Sequence, residues 1–402
     1  SGGYTMNPRD VVIVSACRTP IGKNMGQFKD VRARQLAITA GAEAIKRADI
    51  DPKLIDGIVM GECFTAMEGS LAARQVSMRL GFDERSNACV VNQNCASGMR
   101  ALDIQANNIL LGKEDIGMVI GVESMTNAPY VLEKARMGYR MGDSKIFDNM
   151  LHDGLIDELS GGHMGLTAEN VAEKYGITRE ECDKIAVRSH NLACKAIDEG
   201  IFKDEIVPVV IKSKKGEKVI TDDEHPIRNC TMETLAKLKP AFKKDGVITA
   251  ANASGINDAA AAVILMSWEK CQELGKKPMA KLVTCVAEGV APEVMGLGPA
   301  VAMPKALKAA GLKWEDIDYF EVNEAFSAQV LGVERMLKED YGYVVDWDKT
   351  NKFGSGIALG HPVGCTALRI IVTLVYEMIR SDYKYGMASL CVAGGPALGS
   401  IW

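Results

Sequence analysis

Apolar and polar positions alternate along this chain in blocks of two kinds. Val11 to Ser15 and Ile116 to Gly121 are short, nearly unbroken apolar runs, the pattern of strands buried on both faces. The stretches between such runs carry amphipathic helical periodicity, which predicts an α/β protein with helices packed on a buried sheet. From 126 to 256 the pattern changes to scattered Met, Gly and charged residues, followed by a helical run from Ala168 to Gly200. Within that stretch Lys212 to Lys218 holds four lysines around a Ser and a Gly, and predicts a solvated hairpin.

The blocks repeat. Ala44 to Phe64 aligns without a gap on Ala306 to Phe326, at an offset of 262 residues. Ala44/Ala306, Lys46/Lys308, Ala48/Ala310, Ile55/Ile317, Asp56/Asp318, Glu62/Glu324 and Phe64/Phe326 are identical, and both copies read as helix, turn, strand. A second pair, Cys95-Ala-Ser-Gly-Met-Arg and Gly364-Cys-Thr-Ala-Leu-Arg, aligns at an offset of 269. Offsets this long indicate one duplicated α/β module, where a solenoid would repeat every 20 to 50 residues or so. The expected organisation is a first half over 6–125, an insertion over 126–256 and a second half over 257–402.

Composition narrows the possible partners. The chain has 402 residues, 47 basic and 52 acidic, for a net charge of -5 without long blocks of either sign, so no nucleic-acid surface is expected. The longest apolar run, Ala259 to Met266, is far shorter than the roughly 18 residues a bilayer span needs, and no membrane association is expected. Eleven cysteines, scattered and odd in number, fit a reducing cytoplasm better than a disulfide framework. There is no C-x-x-C pair and no closely spaced pair of histidines, so no metal site is expected. Ser1 to Thr5 read as an appended remnant, with the native chain expected to begin at Met6.

Cys95 is the first candidate for chemistry. A Val-rich strand leads through Asn92-Gln-Asn into a helical pattern that begins at the cysteine, and a helix N-terminus favours the nucleophilic thiolate. The segment alone is equally consistent with a buried apolar filler. The second half supplies a partner: His361 lies in the glycine-rich turn Gly354 to Gly364, and the repeat makes that turn the mate of the Cys95 turn. If the halves pack about a pseudo-twofold axis, both turns reach one cleft and form a thiol/imidazole pair. Asn323 and Cys391 each end an apolar run, where α/β sheets bind ligands. The glycines after Cys391 allow backbone N–H groups to approach a substrate oxygen. No glycine-rich segment matches a dinucleotide or phosphate-loop fingerprint.

Taken together, NQNCASGMRAL around Cys95, HMGLTAEN from His163, ASGINDAAA from Ala253, NEAFSAQ from Asn323, IALGHPVGCT from Ile357 and CVAGG from Cys391 closely resemble the thiolase family over nearly the whole chain. The closest likeness within it is to the acetyl-CoA acetyltransferases. The resemblance implies the thiolase fold: two similar βαβαβαββ-type halves in a five-layered α-β-α-β-α core, with an inserted loop domain that holds coenzyme A. It implies that Cys95 is the acyl-accepting nucleophile, His361 its activating base and oxyanion donor, and Cys391 the acid/base for the second substrate. It assigns Asn323 to a water at the first oxyanion site, and the backbone N–H groups of Cys95 and Ala393 to the second.

For the coenzyme it points to Leu155, His163, Met164, Ser254, Ala325 and Phe326 along the pantetheine, and Arg228 toward the nucleotide. Met164 and Met295 match positions that close a short acyl pocket. Coenzyme A thioesters are then substrates, with no permanently bound cofactor. Arg140 to Lys145 resembles a tetramerisation loop and implies a homotetramer, a dimer of dimers.

Some positions depart from the family pattern. Ser355, Ala393 and Pro396 stand in the motifs around His361 and Cys391, and Ala251 and Ala259 replace usual glycines. A Cβ at Ala393 would displace or tighten the second oxyanion site if that position required positive φ. The expected activity is reversible condensation of two acetyl-CoA to acetoacetyl-CoA and CoA. A degradative thiolase of broader chain length and a catalytically weakened acyl-CoA binding protein are the alternatives. A ketosynthase-like enzyme is disfavoured by the N-E-A-F segment and the second cysteine.

Overall fold

The computed structural model describes residues 6–402, and the remnant read ahead of Met6 lies outside them. Its labelled elements are β1 (Val11–Arg18), α1 (Ala33–Ala48), β2 (Gly57–Gly61), α2 (Ala72–Arg79), β3 (Asn87–Val91), α3 (Ser97–Leu110), β4 (Ile116–Ser124), α4 (Met164–Tyr175), α5 (Arg179–Asp198), β5 (Asn257–Ser267), β6 (Thr284–Gly289), α6 (Pro299–Ala310), β7 (Tyr319–Val322), α7 (Ser327–Tyr341), α8 (Val363–Arg380), β8 (Gly386–Cys391) and β9 (Pro396–Ile401).

Two sheets repeat one topology. The first runs from a short edge strand, Ala280–Lys281, through β1, β5, β4, β2 and β3; the second runs β6, β9, β8, β7. In both, the inner strand (β5 or β9) is antiparallel to both neighbours, and the next pair is parallel. Even the register repeats: Gly57 pairs with Gly117 in the first sheet and Tyr319 with Gly386 in the second. These are the positions that the sequence offsets carry onto each other.

Helices α3 and α8 pack on each other between the sheets, while α1 covers the first sheet and α6 the second from outside. That is the expected α-β-α-β-α layering. Helix α8 is buried through nearly its whole length, as its position between two sheets demands.

One expected boundary moves. The second half was to begin at 257, but β5 (Asn257–Ser267) lies in the first sheet, between β1 and β4. Its eleven residues are all buried. An apolar run without alternation can be hidden on both faces only inside a sheet, and β1 and β4 offer the open edges. The first unit therefore comprises 11–124 together with 257–281, and the second starts near Thr284. The segment 126–256 leaves the first sheet and returns to it.

Inside that insertion the helical run divides. Gly176, at φ 62, ends α4, and the Thr178 side chain accepts from the Glu181 N–H to cap α5. The lysine-rich segment is a hairpin, Val209–Ser213 paired with Gly216–Ile220.

Candidate active site

The Cys95 turn is built by local polar contacts. Asn92 Oδ1 accepts from the Asn94 N–H at 2.8 Å, and Asn94 takes φ 47, a conformation asparagine tolerates better than most residues. The Ser97 hydroxyl accepts from Gln93 N–H at 2.9 Å and donates to the Asn94 carbonyl at 2.6 Å. The helix was expected to begin at the cysteine; it begins at Ser97, with Ala96 as its N-cap. Cys95 therefore sits just ahead of α3.

The thiol is not a preformed thiolate. Burial pushes it up to about 12, against the opposing pull of two backbone N–H groups, those of Ala393 and of Cys95 itself. The sulfur of the first half thus meets a backbone donor from the second. Ala393 is absent from the positive-φ residues, whereas Gly394 and Gly395 take φ 95 and φ 108. Its Cβ therefore imposes no backbone strain, and the concern raised by that departure is removed. Gly395 is required by close approach, since a Cβ there would lie 2.1 Å from the Val290 carbonyl oxygen.

His361 follows Gly360, which takes φ 104 and leaves no room for a Cβ against Asn257. The His361 N–H donates to Asn257 Oδ1 at 2.9 Å. Its Nδ1 lies 2.6 Å from the Thr366 hydroxyl, which donates to the Pro362 carbonyl at 3.1 Å. With the hydroxyl donating to Pro362, the ring proton sits on Nδ1 and the lone pair on Nε2, which has no protein partner. Burial, reinforced by Arg369, pushes the imidazolium down to about 4, so the ring is a neutral base at neutral pH.

Cys391 ends β8, and burial followed by the neighbouring Cys95 raises its thiol. Asn323 is fully buried, with both amide atoms lacking a protein partner, and it is not itself among the residues lining the cavity that Cys95 faces. A Cβ at Gly356 would lie 2.6 Å from Asn323 Oδ1, so glycine is needed there.

Cys95, His361, Cys391 and Ala393 all face one cavity of about 470 Å³, together with Leu155, His163, Met164, Ser254, Met295, Ala325 and Phe326. Its walls are mainly apolar, and they come from both halves and the insertion. His163 stacks on Phe242 at 4.5 Å between ring centroids, and Phe242 meets Phe326 edge-on at 6.1 Å. A Cβ at Gly165 would strike the Phe242 ring at 2.2 Å. The Ser254 N–H donates to the Ala325 carbonyl at 2.8 Å, tying insertion to second half.

Arg228 does not join this cavity. It is exposed on the surface and paired in bidentate fashion with Asp198 at 2.8 and 3.0 Å. Conversely, Cys63, Phe64, Met125, His225 and Phe242 line the cavity without having been singled out. Phe64 carried a usable signal, because its repeat mate Phe326 was already a candidate. Phe242 carried none, since its place depends on how the insertion folds back.

Among the described residues no three or more His, Cys, Asp or Glu are grouped to hold a metal ion, and no helix is long and apolar enough to cross a membrane.

The chain and its fold resemble known proteins. Residues 11–269 match the thiolase N-terminal domain and residues 276–402 the thiolase C-terminal domain. An acetyl-CoA acetyltransferase of Syntrophomonas wolfei is 51% identical over 96% of this chain and 97% of its own length. One from Cupriavidus necator is 44% identical over the same shares. Among solved structures, acetyl-CoA acetyltransferase from Syntrophomonas wolfei superposes with a TM-score of 0.97 at 62% identity, covering 98% of this chain and 99% of that one. Human mitochondrial 3-ketoacyl-CoA thiolase in complex with CoA gives 0.92 at 37% identity, covering 99% of each. The chain belongs to the thiolase family of acyltransferases.

Proposed function

We propose that this protein is an acetyl-CoA C-acetyltransferase, catalysing reversible condensation of two acetyl-CoA to acetoacetyl-CoA and CoA through an acyl-Cys95 intermediate. The observation that carries the reading is the meeting of Cys95, His361 and Cys391, from three distant segments, on one apolar cavity. The names of the relatives in the two bacteria support the choice of acyl group.

In the first half-reaction His361 Nε2 takes the Cys95 proton as the sulfur attacks the thioester carbonyl, so thiolate forms only as it is consumed. The N–H groups of Cys95 and Ala393 stabilise the tetrahedral oxyanion, the departing CoA sulfur takes its proton from Cys391, and the acyl group stays on the Cys95 sulfur while His361 keeps the Cys95 proton. In the second, the Cys391 thiolate left by that transfer removes an α-proton from another acetyl-CoA, and the protonated His361 returns its proton to Cys95 as the carbon–carbon bond forms. The enolate oxygen, held by His361 and a water on Asn323, is stabilised while its carbon attacks the acyl group. Thiolysis is the reverse. His163, Phe242 and Phe326 form the aromatic wall for pantetheine, with Leu155, Met164, Ser254 and Ala325 beside it.

We further propose a cytoplasmic homotetramer. The segment around Arg140 to Lys145 exposes Met137, Met141 and Ile146, apolar side chains that a partner subunit would cover.

The test is CoA-dependent cleavage of acetoacetyl-CoA, followed by loss of its enolate absorbance, with Cys95→Ala as control. The parent is expected to cleave and the variant to be inert. Absence of cleavage by the parent sinks the enzyme reading; equal cleavage by the variant sinks Cys95. A series of longer 3-oxoacyl-CoA substrates separates this activity from that of a degradative thiolase.

A further inference from the structure

The repeat leaves one identity unexplained. Glu62 and Glu324 are mates, both buried, and neither takes part in the chemistry above. Beside Glu62 lies a second buried carboxyl, Glu123, at the end of β4. Glu123 Oε1 accepts from the Cys63 N–H at 2.9 Å and from the Gly364 N–H at 3.0 Å, and Oε2 accepts from the Phe64 N–H at 3.0 Å. Gly364 admits no side chain here: a Cβ would lie 2.3 Å from the Val122 carbonyl oxygen and 2.6 Å from Glu123 Oε1.

These contacts form a continuous path between the two catalytic turns. On one side the Cys63 thiol donates to the Asn94 carbonyl at 3.2 Å, at the residue preceding Cys95. On the other, Gly364 lies in the first turn of α8, the turn whose Thr366 holds His361 Nδ1. Glu123 is the joint between them.

Pseudo-symmetry explains why a carboxylate belongs there. Gly364 is the repeat mate of Cys95, and the same offset carries Glu123 onto Val392. The N-terminus of α8 is therefore occupied by a fixed carboxylate, whose charge the helix dipole favours. At the N-terminus of α3 the equivalent residue is apolar, and Cys95 and the neighbouring Ala393 N–H remain available to a transient charge. One module end is filled to hold the architecture and the other left open for substrate.

We propose that Glu123 is a positioning residue for the Cys95/His361 pair: its carboxylate pins the Cys63–Phe64 turn to the Gly364 end of α8 and so fixes the distance between thiol and imidazole. Glu62 supports this role. Its carboxyl oxygens have no hydrogen-bond partner, and burial next to Glu123 raises it well above the usual carboxylate range. Burial raises Glu123 less, because three backbone N–H groups favour its charged form. Burial pushes both carboxyls toward the neutral form, Glu62 the further, and the three N–H donors favour placing the pair's charge on Glu123.

The inference rests on the reading of Cys95 and His361 as catalytic, and the experiment separates the two. Glu123→Gln preserves shape but places an amide NH₂ against a backbone N–H. Thiolysis of acetoacetyl-CoA is measured as kcat per active site, with sites counted by the burst of CoA released on acylation by acetyl-CoA, alongside the melting temperature. The expected result is a kcat per site lowered about tenfold or more with KM changed less than about twofold, the pattern of misaligned reacting groups. Cys63→Ala, which cuts the arm to Asn94 and leaves Glu123 in place, is expected to lower kcat per site by a smaller factor in the same pattern.

An unchanged kcat per site with a lowered melting temperature in Glu123→Gln overturns the proposal and leaves Glu123 a purely structural residue. If that variant does not fold, an unchanged kcat per site in Cys63→Ala overturns it. Turnover that survives in Cys95→Ala overturns the underlying reading instead.

Discussion

Thr366 Oγ1 stands 2.6 Å from Nδ1 of His361 while donating to the Pro362 carbonyl at 3.1 Å. A hydroxyl that donates to the carbonyl accepts from the ring, which puts the proton on Nδ1 and leaves Nε2 free to act as the proposed base. Thr366→Val retains the shape of the side chain and removes the acceptor. It is expected to lower kcat for thiolysis by one to two orders of magnitude or so, with a much smaller effect on KM. A kcat within a factor of about two of the parent would show that the tautomer is set elsewhere.

The meeting of Cys95 with the Ala393 N–H yields a second expectation. Since Ala393 lies outside positive φ, glycine there has no strain to relieve, and Ala393→Gly should retain kcat within about threefold. Ala393→Pro deletes the donor and is expected to cost about a hundredfold or more in kcat, the scale of losing one oxyanion-hole donor. Steady-state thiolysis by both variants checks the pair, and a large gain from glycine would contradict the geometry.

Burial sets the pH response of the nucleophile. With the Cys95 thiol pushed up from 9.0 to about 12, its thiolate is a minor species at neutral pH and grows about tenfold per pH unit. Alkylation of Cys95 by iodoacetamide in the unliganded protein, followed by peptide mass spectrometry, is expected to keep accelerating from about pH 7 to about pH 10. A plateau beginning below about pH 8 would falsify the claim that no thiolate is preformed.

Glu62 makes a prediction about stability. Its folded-state value is raised above the ordinary 4.5, so the folded chain holds a proton that the unfolded chain has released. The associated stability is present below 4.5 and is lost as pH rises toward the folded value. Between about pH 7 and about pH 9 the melting temperature of the parent should fall further than that of Glu62→Gln, by about two degrees or more. Parallel falls in the two proteins would mean that Glu62 is ionised throughout.

Met295 is nearly fully buried on the cavity wall. Met295→Ala is expected to raise kcat/KM for a six-carbon 3-oxoacyl-CoA relative to the four-carbon substrate by about tenfold, the scale of one or two methylenes in an apolar pocket. An unchanged ratio would move the limit on chain length to another residue.

Much of this molecule was legible in its sequence because duplication leaves a local record. The offset between Gly57 and Tyr319 reappears as identical strand register, since equal helix, turn and strand lengths force equal pairing. The same record linked the Cys95 and His361 turns before any coordinates. It also paired Phe64 with Phe326, which the structure places on one cavity. Arg228, which resemblance pointed toward the nucleotide, lies outside the cavity and pairs with Asp198 on the surface, a partner its own segment does not reveal.

The sequence by itself determined the α/β class, the duplication, the elements of each half and the residues able to do thiol chemistry, because periodicity, turn chemistry and side-chain type are local properties. Only the tertiary structure decided that β5 completes the first sheet, that Glu123 joins the Cys63 and Gly364 turns, and that the Cys95 thiol is raised despite lying beside a helix start. Strand partners, long-range hydrogen bonds and desolvation are set by segments hundreds of residues away, and no local pattern encodes which of them arrives.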